Sequence, residues 1–150
     1  MENLTLGIDI FYFDTMKPVE IVAAMMKEDA FSTYLGIVIN EVTLGEVVIS
    51  MDVKSELLNG FGILHGGISY ALADSACAFA ANSRGSKAVT IESSISHLKK
   101  VMLGEKLEAV AKPIAITRKT GVYEVIVRNG KMEHIAHYKG TILFSTVPWE

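Results

Sequence analysis

The sequence predicts an α+β protein in which a long central helix is wrapped by a curved antiparallel sheet of about five to six strands. Three observations support this prediction. Residues 66 to about 83 have helical spacing but no clearly solvated face, which is typical of a helix buried all round. Four consecutive segments after it alternate polar and apolar side chains, as strands do. Turn residues separate these segments, which favours antiparallel pairing with the helix on one face.

The first predicted element is a helix in DTMKPVEIVAAMMKED, residues 14–29. Asp14 or Thr15 is suited to cap its start through a side-chain oxygen. Pro18 suits the first turn, where its missing N–H costs no hydrogen bond. Two strands are predicted next, at residues 34–42 and 46–53, separated by a turn.

The long helix follows these strands. Its apolar stripe at 3.6-residue spacing consists of Ile68, Leu72 and Phe79, and alanines fill most other positions. Arg84-Gly85 supplies a cationic last turn and a glycine stop. The four strands that follow are predicted in residues 87–99, 106–117, 122–128 and 132–146. Asn129-Gly130, between the last two, is a strong hairpin signal.

Length, charge and cysteine content exclude several classes of protein. A chain of 150 residues suits one domain, and a net charge of −3 argues against a nucleic-acid partner. The single cysteine, Cys77, permits no intrachain disulfide and fits a reducing compartment. The N-terminal stretch lacks a basic region with a cleavage site, and the longest uncharged run is short for a bilayer span. We therefore expect a soluble cytoplasmic protein with no membrane partner.

The segment His65-Gly66-Gly67 marks the start of the long helix. The first N–H groups of a helix lack intrahelical partners and lie at the positive end of its dipole. Glycine lets a ligand approach this backbone without a Cβ in the way. The alternative interpretation is a tight turn between loop and helix that simply requires small residues.

Asp74 is the carboxylate of this otherwise apolar helix. Its helical neighbours are Tyr70, Cys77, Ala78 and Ala81, on a different face from the apolar stripe. These mostly small residues leave room for another chain to pack closely. A buried carboxylate without a partner is costly, so such a group is usually either hydrogen-bonded structurally or functional.

The spacing of these residues is similar to a known signature. Asn59 lies six residues before His65 of the His-Gly-Gly segment, and Asp74 lies nine residues after that histidine. This pattern resembles hot-dog-fold acyl-CoA thioesterases, and most closely the PaaI-like (phenylacetate-degradation) branch of the 4-hydroxybenzoyl-CoA thioesterase superfamily. The resemblance implies a single hot-dog thioesterase domain over residues 1–150, with residues 1–30 as an N-terminal helical segment.

The resemblance also implies a coenzyme A thioester as substrate and self-association as a homodimer or a dimer of dimers. In the family, the asparagine and the His-Gly-Gly segment of one chain meet the aspartate of the other chain's helix. Asp74 would act as general base on water, or attack the thioester carbonyl itself to give an anhydride. The Gly66 N–H would polarise that carbonyl. His65 would shape the turn, Asn59 would orient the water or hold the carbonyl, and Thr90 would help place the water.

Each of these roles has a structural alternative. Asp74 could cap a neighbouring element at an interface, and Asn59 could be a turn residue. Glu92, two residues beyond Thr90, is expected on the same strand face as a solvated or interface charge. The residues predicted to bind substrate are Gly67, Phe61, Leu64, Tyr70, Arg84, Lys99 and Lys100. Further candidates are Arg118 and Lys119 for phosphates and residues 11–13 for the acyl group.

No cofactor and no metal are expected. His134 and His137 lie three apart, so a regular strand points them to opposite faces.

Two alternatives to a hydrolase remain open. A hot-dog domain could bind acyl-CoA without hydrolysing it, although the complete Asn, His-Gly-Gly and Asp set argues against this. A hydratase or dehydratase could use His65 with Asp74, although the D-x-N-P-x-H pattern of hydratases is absent.

Overall fold

The structure is a computed structural model that describes residues 16–150. Its helices and strands, in chain order, are α1 Pro18–Glu28, α2 Ala30–Leu35, β1 Val38–Thr43, β2 Glu46–Asp52, α3 Gly66–Asn82, β3 Ser86–His97, β4 Lys106–Ile116, β5 Thr120–Asn129 and β6 His134–Pro148. A short 3-10 turn at Ser55–Leu57 precedes the loop that leads into α3. None of the helices in this part of the chain combines the length and the apolar character that crossing a membrane requires.

The six strands form one antiparallel sheet in the order β1-β2-β4-β5-β6-β3. Helix α3 packs against β2, β3, β4, β5 and β6, so the sheet wraps around it. The predicted α+β class, with a long helix inside a six-stranded antiparallel sheet, is confirmed. That residues 1–150 form a single domain stays a prediction.

The core lies between α3 and the inner face of the sheet. Leu72 and Phe79 of α3 are buried, and every second residue of β5, including Tyr123, Val125 and Val127, points towards them. Buried alanines on α3 let the strands approach the helix closely. Burial of this apolar surface is the main stabilising contribution to the fold. It also fixes which face of each strand points inward.

Two predictions about the N-terminal elements were wrong. Helix α1 begins at Pro18 with Lys17 as its N-cap, and the Glu20 carboxylate accepts the Lys17 N–H at 2.8 Å. The proposed caps Asp14 and Thr15 are therefore not needed, and both lie outside the described residues, as does half of the predicted segment 1–30. The strand predicted from residue 34 begins only at Val38, because a second helix, α2, comes first.

Helix α2 has a capping residue at its start, Asp29, and a glycine at its end, Gly36. The Asp29 carboxylate accepts the Ser32 N–H at 2.8 Å, which satisfies a free donor at the helix start. Gly36 ends the helix with φ of +73°, a conformation that glycine adopts without strain. This six-residue helix is too short for a clear 3.6-residue periodicity, so its sequence alone does not distinguish it from a strand.

A β-bulge in β3 reverses the expected side-chain alternation. The pairing register with β6 shifts between Thr90 and Glu92. Thr90 is partly buried, whereas Glu92 is exposed and accepts a hydrogen bond from Thr141. The prediction that Thr90 and Glu92 share a face was therefore wrong, because one extra residue in a strand moves all later side chains to the other face. As a result Ser93 is the partly buried hydroxyl beyond the bulge.

The predicted hairpin at Asn129-Gly130 is present, but its loop spans residues 130–133. The Asn129 side-chain oxygen accepts the N–H groups of Lys131 and Glu133 at 3.0 and 3.1 Å. The asparagine therefore organises a longer loop than the two-residue turn that this dipeptide most often forms.

Candidate active site

The start of α3 presents a backbone donor, the Gly66 N–H, that is unpaired within the described part of the chain. His65 is the N-cap, and its Nδ1 accepts the Gly67 N–H at 2.9 Å. The Gly66 N–H has no hydrogen-bond partner among residues 16–150. The histidine therefore occupies the second N–H of the helix and leaves the first available to a ligand.

Asn59 precedes this helix in a tight loop. Its side-chain oxygen accepts the N–H groups of Phe61 at 2.9 Å and Ile63 at 3.4 Å. Its side-chain NH₂ group has no partner within the described part of the chain. The side-chain oxygen of Asn59 therefore stabilises the turn, while its NH₂ group remains able to donate a hydrogen bond to a ligand. The turn role and the proposed binding role are compatible.

Asn59 and Gly66 line the same cavity, of about 290 Å³. The residues around it that the sequence had also singled out for substrate binding are Leu64, Lys99 and Lys100. Lys99 forms an ion pair with Glu133 at 2.8 Å. The volume is at the lower end of the range for small-molecule sites. The cavity therefore combines apolar walls, two amide donors and positive charge.

His97 is a residue of this cavity that sequence reasoning missed. Its Nδ1 lies 3.2 Å from Ser69 Oγ, and a Cβ on Gly66 would lie 3.2 Å from its Nε2. Glycine at position 66 therefore also leaves space for this imidazole. Its position at the end of β3 gave no local signal, because the contact joins residues 28 apart.

Asp74 does not line this cavity. It is half-buried on α3, and its Oδ1 accepts the Tyr138 hydroxyl of β6 at 2.6 Å. The Tyr138 and Tyr70 rings pack edge to face with centroids 5.6 Å apart, and the Tyr70 hydroxyl bonds to Ser93 at 2.5 Å. Sequence reasoning missed Tyr138, although a buried tyrosine hydroxyl usually has a polar partner.

Burial and the Asp74 carboxylate set the protonation of the neighbouring groups. Burial, and then the hydrogen bond donated to Asp74, raise the pKa of the Tyr138 phenol well above its usual range. Burial, and then the charge of Asp74, raise the pKa of the Cys77 thiol to about 12. At neutral pH both groups are therefore protonated, and Cys77 is not a nucleophile.

The chain is similar in sequence to known proteins. The model of the thioesterase superfamily matches residues 61–136, just over half of the chain. The chain belongs to the thioesterase superfamily. A relative from Archaeoglobus fulgidus is 42% identical over 118 residues, 79% of this chain and 77% of its own length. The acyl-coenzyme A thioesterase PaaI of Escherichia coli is 36% identical over 78% of this chain and 84% of its own.

Solved structures agree with these sequence relationships. The structure of E. coli PaaI superposes with a TM-score of 0.86 at 32% identity, over 89% of this chain and 96% of that protein. A hypothetical thioesterase protein of Streptococcus pneumoniae, solved with coenzyme A, gives a TM-score of 0.72 at 27% identity, over 76% of this chain and 91% of that protein. The predicted hot-dog fold, the PaaI-like family and the thioesterase class are confirmed.

The described part of this thioesterase does not bring all predicted site residues together. Gly66 and Asp74 are eight residues apart on α3, which places them about 12 Å apart along its axis. Arg84 lies at the opposite end of α3, beside Gly45. Phe61 is 90% exposed, and Tyr70 faces Ser93 rather than the cavity. One chain therefore carries the amide donors and the carboxylate in two separate places.

The Cys77 thiol of this thioesterase is expected to be unreactive in the native protein. It is completely buried, and a pKa of about 12 leaves only about one thiol in 10⁴ ionised at pH 8. A disulfide dye should detect less than about a tenth of a thiol per native chain and one per chain in denaturant. Rapid reaction of the native protein would contradict the packing around α3.

Proposed function

We propose that this protein hydrolyses acyl-CoA thioesters to the free acid and CoA, at a site completed by two copies of the chain. The observation that supports this most is that the Gly66 N–H and the NH₂ of Asn59 line one cavity, and neither has a hydrogen-bond partner within residues 16–150. Such donors match an oxygen that gains negative charge during acyl transfer. Relatives named as acyl-CoA thioesterases support the same substrate class.

In the proposed reaction the thioester carbonyl oxygen accepts the Gly66 N–H, with Asn59 holding the carbonyl or the water. Asp74 takes a proton from that water as the water oxygen bonds to the carbonyl carbon. The C–S bond then breaks, and the proton passes to the departing CoA thiolate. The alternative is attack by Asp74 itself, giving an anhydride that water cleaves. Each preorganised amide donor contributes about 3 to 4 kcal/mol to the stability of the transition state.

A second copy of the chain is needed for this chemistry. Gly66 and Asp74 of one chain are too far apart to reach the same carbonyl. Strand β3 ends the sheet, pairs with β6 alone among the described strands, and exposes the apolar side chains of Val89 and Ile91. Pairing between two such edges would remove unsatisfied backbone groups and apolar surface from water. We propose a homodimer, or a dimer of dimers, in which each Asp74 faces the other chain's Gly66.

Thr90 is proposed to place the attacking water. Further structures of the pneumococcal thioesterase carry alanine in place of an aspartate or of a threonine, and those two positions are sixteen residues apart. Asp74 and Thr90 have the same separation, and Thr90 is partly buried on β3. The matching separation supports Thr90 over Ser93 for this role.

The phosphates of CoA are proposed to bind near Lys100. Lys99 is held by Glu133, whereas Lys100 has no ion pair within residues 16–150 and lines the cavity. The acyl group is proposed to be an aryl or arylacetyl group, with Tyr70 and Phe61 as aromatic contacts. Leu64 and Gly67 are proposed to line its path.

A panel of acyl-CoA thioesters, assayed with a thiol-reactive dye, tests the proposal. We expect free CoA to appear in proportion to enzyme, with an aryl or arylacetyl thioester among the better substrates. Saturable binding without thiol release would instead indicate an acyl-CoA-binding protein. Loss of enoyl absorbance without thiol release would indicate a hydratase.

A further inference from the structure

The carboxylate of Asp74 is held by a tyrosine from a distant strand. The Tyr138 side chain is completely buried on β6, and its hydroxyl donates to Asp74 Oδ1 at 2.6 Å. We propose that Tyr138 is a positioning residue, which fixes the Asp74 carboxylate in the orientation that hydrolysis requires. This inference rests on the proposed thioesterase function.

The hydrogen bond restricts a side chain that would otherwise rotate. Asp74 lies on a half-buried face of α3. Anchoring Oδ1 limits rotation of the carboxylate and leaves Oδ2 without a hydrogen bond from the described residues. Oδ2 is then the atom that meets the water or the thioester. Orienting a catalytic group in advance lowers the entropic part of the barrier.

Tyr138 is itself held on several sides. Its ring packs edge to face against Tyr70, whose hydroxyl is bonded to Ser93. A Cβ on Gly140 would lie 3.1 Å from the Tyr138 hydroxyl and 2.9 Å from Cys77 Sγ. Glycine at position 140 therefore provides the space in which the phenol reaches Asp74. The tyrosine is a fixed donor, as a positioning residue must be.

The protonation of the surrounding groups suits this role. The titratable groups around the carboxylate are Tyr70 and Cys77 of α3 and Tyr138 of β6. Burial and the bond to Asp74 raise the pKa of Tyr138, so the phenol stays a donor at neutral pH. The hydrogen bond from Tyr138 to Asp74 Oδ1 is therefore present at neutral pH.

The test is Tyr138→Phe, with Tyr123→Phe as the matched control. Tyr123 is equally buried, on the neighbouring strand β5, and makes no hydrogen bond to Asp74. We expect Tyr138→Phe to lower kcat about ten- to a hundredfold, because a bond to a charged group is lost. KM should stay within about twofold. Tyr123→Phe should change neither kcat nor KM.

Equal kcat values for the two variants would overturn the inference. A loss of kcat in Tyr138→Phe that disappears at a temperature well below its melting midpoint would also overturn it, since instability would then be the cause. Introducing Tyr138→Phe into Asp74→Asn should cause no further loss. If the wild-type protein releases no CoA, the thioesterase proposal itself fails. If the wild type is active and Tyr138→Phe equals its control, only the role of Tyr138 fails.

Discussion

Asp74→Asn is expected to lower kcat for acyl-CoA hydrolysis by roughly 10²- to 10⁴-fold, the range for losing a general base or a nucleophile. The amide has nearly the shape of the carboxylate and can still accept the Tyr138 hydroxyl through its oxygen. The fold and the self-association should therefore persist. The measurements are steady-state CoA release, the thermal midpoint and the mass in solution.

A matched control for this variant is Asp52→Asn. Asp52 is an exposed carboxylate at the end of β2, so its substitution changes the net charge by the same amount without touching α3. We expect its kcat to stay within about twofold of the wild type, since surface substitutions rarely perturb a distant site. Near-normal turnover by Asp74→Asn would remove Asp74 from the mechanism and leave it a structural partner of Tyr138.

The second large effect is the recovery of activity by mixing two inactive variants. If each site takes Asp74 from one chain and Asn59 from the other, Asp74→Asn and Asn59→Ala each inactivate both sites of a homodimer. A mixed dimer of the two has one intact site and one site with both defects. Equimolar unfolding and refolding together gives about half mixed dimers, so about a quarter of wild-type activity should return.

Recovery of activity in the mixed dimer requires that each site takes residues from both chains. If one chain supplied both residues of a site, mixing would recover nothing beyond the sum of the two variants. That result would contradict the shared site while leaving thioesterase activity itself intact. Mixing Asp74→Asn with Thr90→Ala then assigns Thr90 to the chain of Asp74 or to the other chain. Recovery requires that the two altered residues belong to opposite halves of a site.

Local signals predicted most of the fold. The polar-apolar alternation of β3 to β6 and the apolar character of α3 are repeated over many residues, so burial and pairing reinforce them. Helix α2 escaped prediction because six residues are too few to show a period. The bulge between Thr90 and Glu92 was also not predicted. Its position is set by how β3 pairs with β6, and the β3 sequence alone does not indicate it.

The residues of the candidate site also divide into those that local sequence indicates and those that only long-range contacts bring in. Asn59, His65 and Gly66 lie within eight residues of the chain, so their local spacing indicated the candidate donor at the start of α3. His97 lies at the end of β3, where it pairs with Ala136 of β6, and no pattern near it in the sequence indicated its contact with Ser69. Lys99 was predicted as a substrate contact, but its ion pair with Glu133 connects residues 34 apart and leaves Lys100 the less restrained cation.

By itself, the sequence determined the family, the order of the strands and of helices α1 and α3, and the half of the candidate site near Gly66, because each is marked by residues close together in the chain. Only the tertiary structure decided that Tyr138 bonds to Asp74, across 64 residues, and that Gly66 and Asp74 point to separate places. The physical reason is that such contacts arise when the sheet curls around α3, and the final register sets which side chains meet.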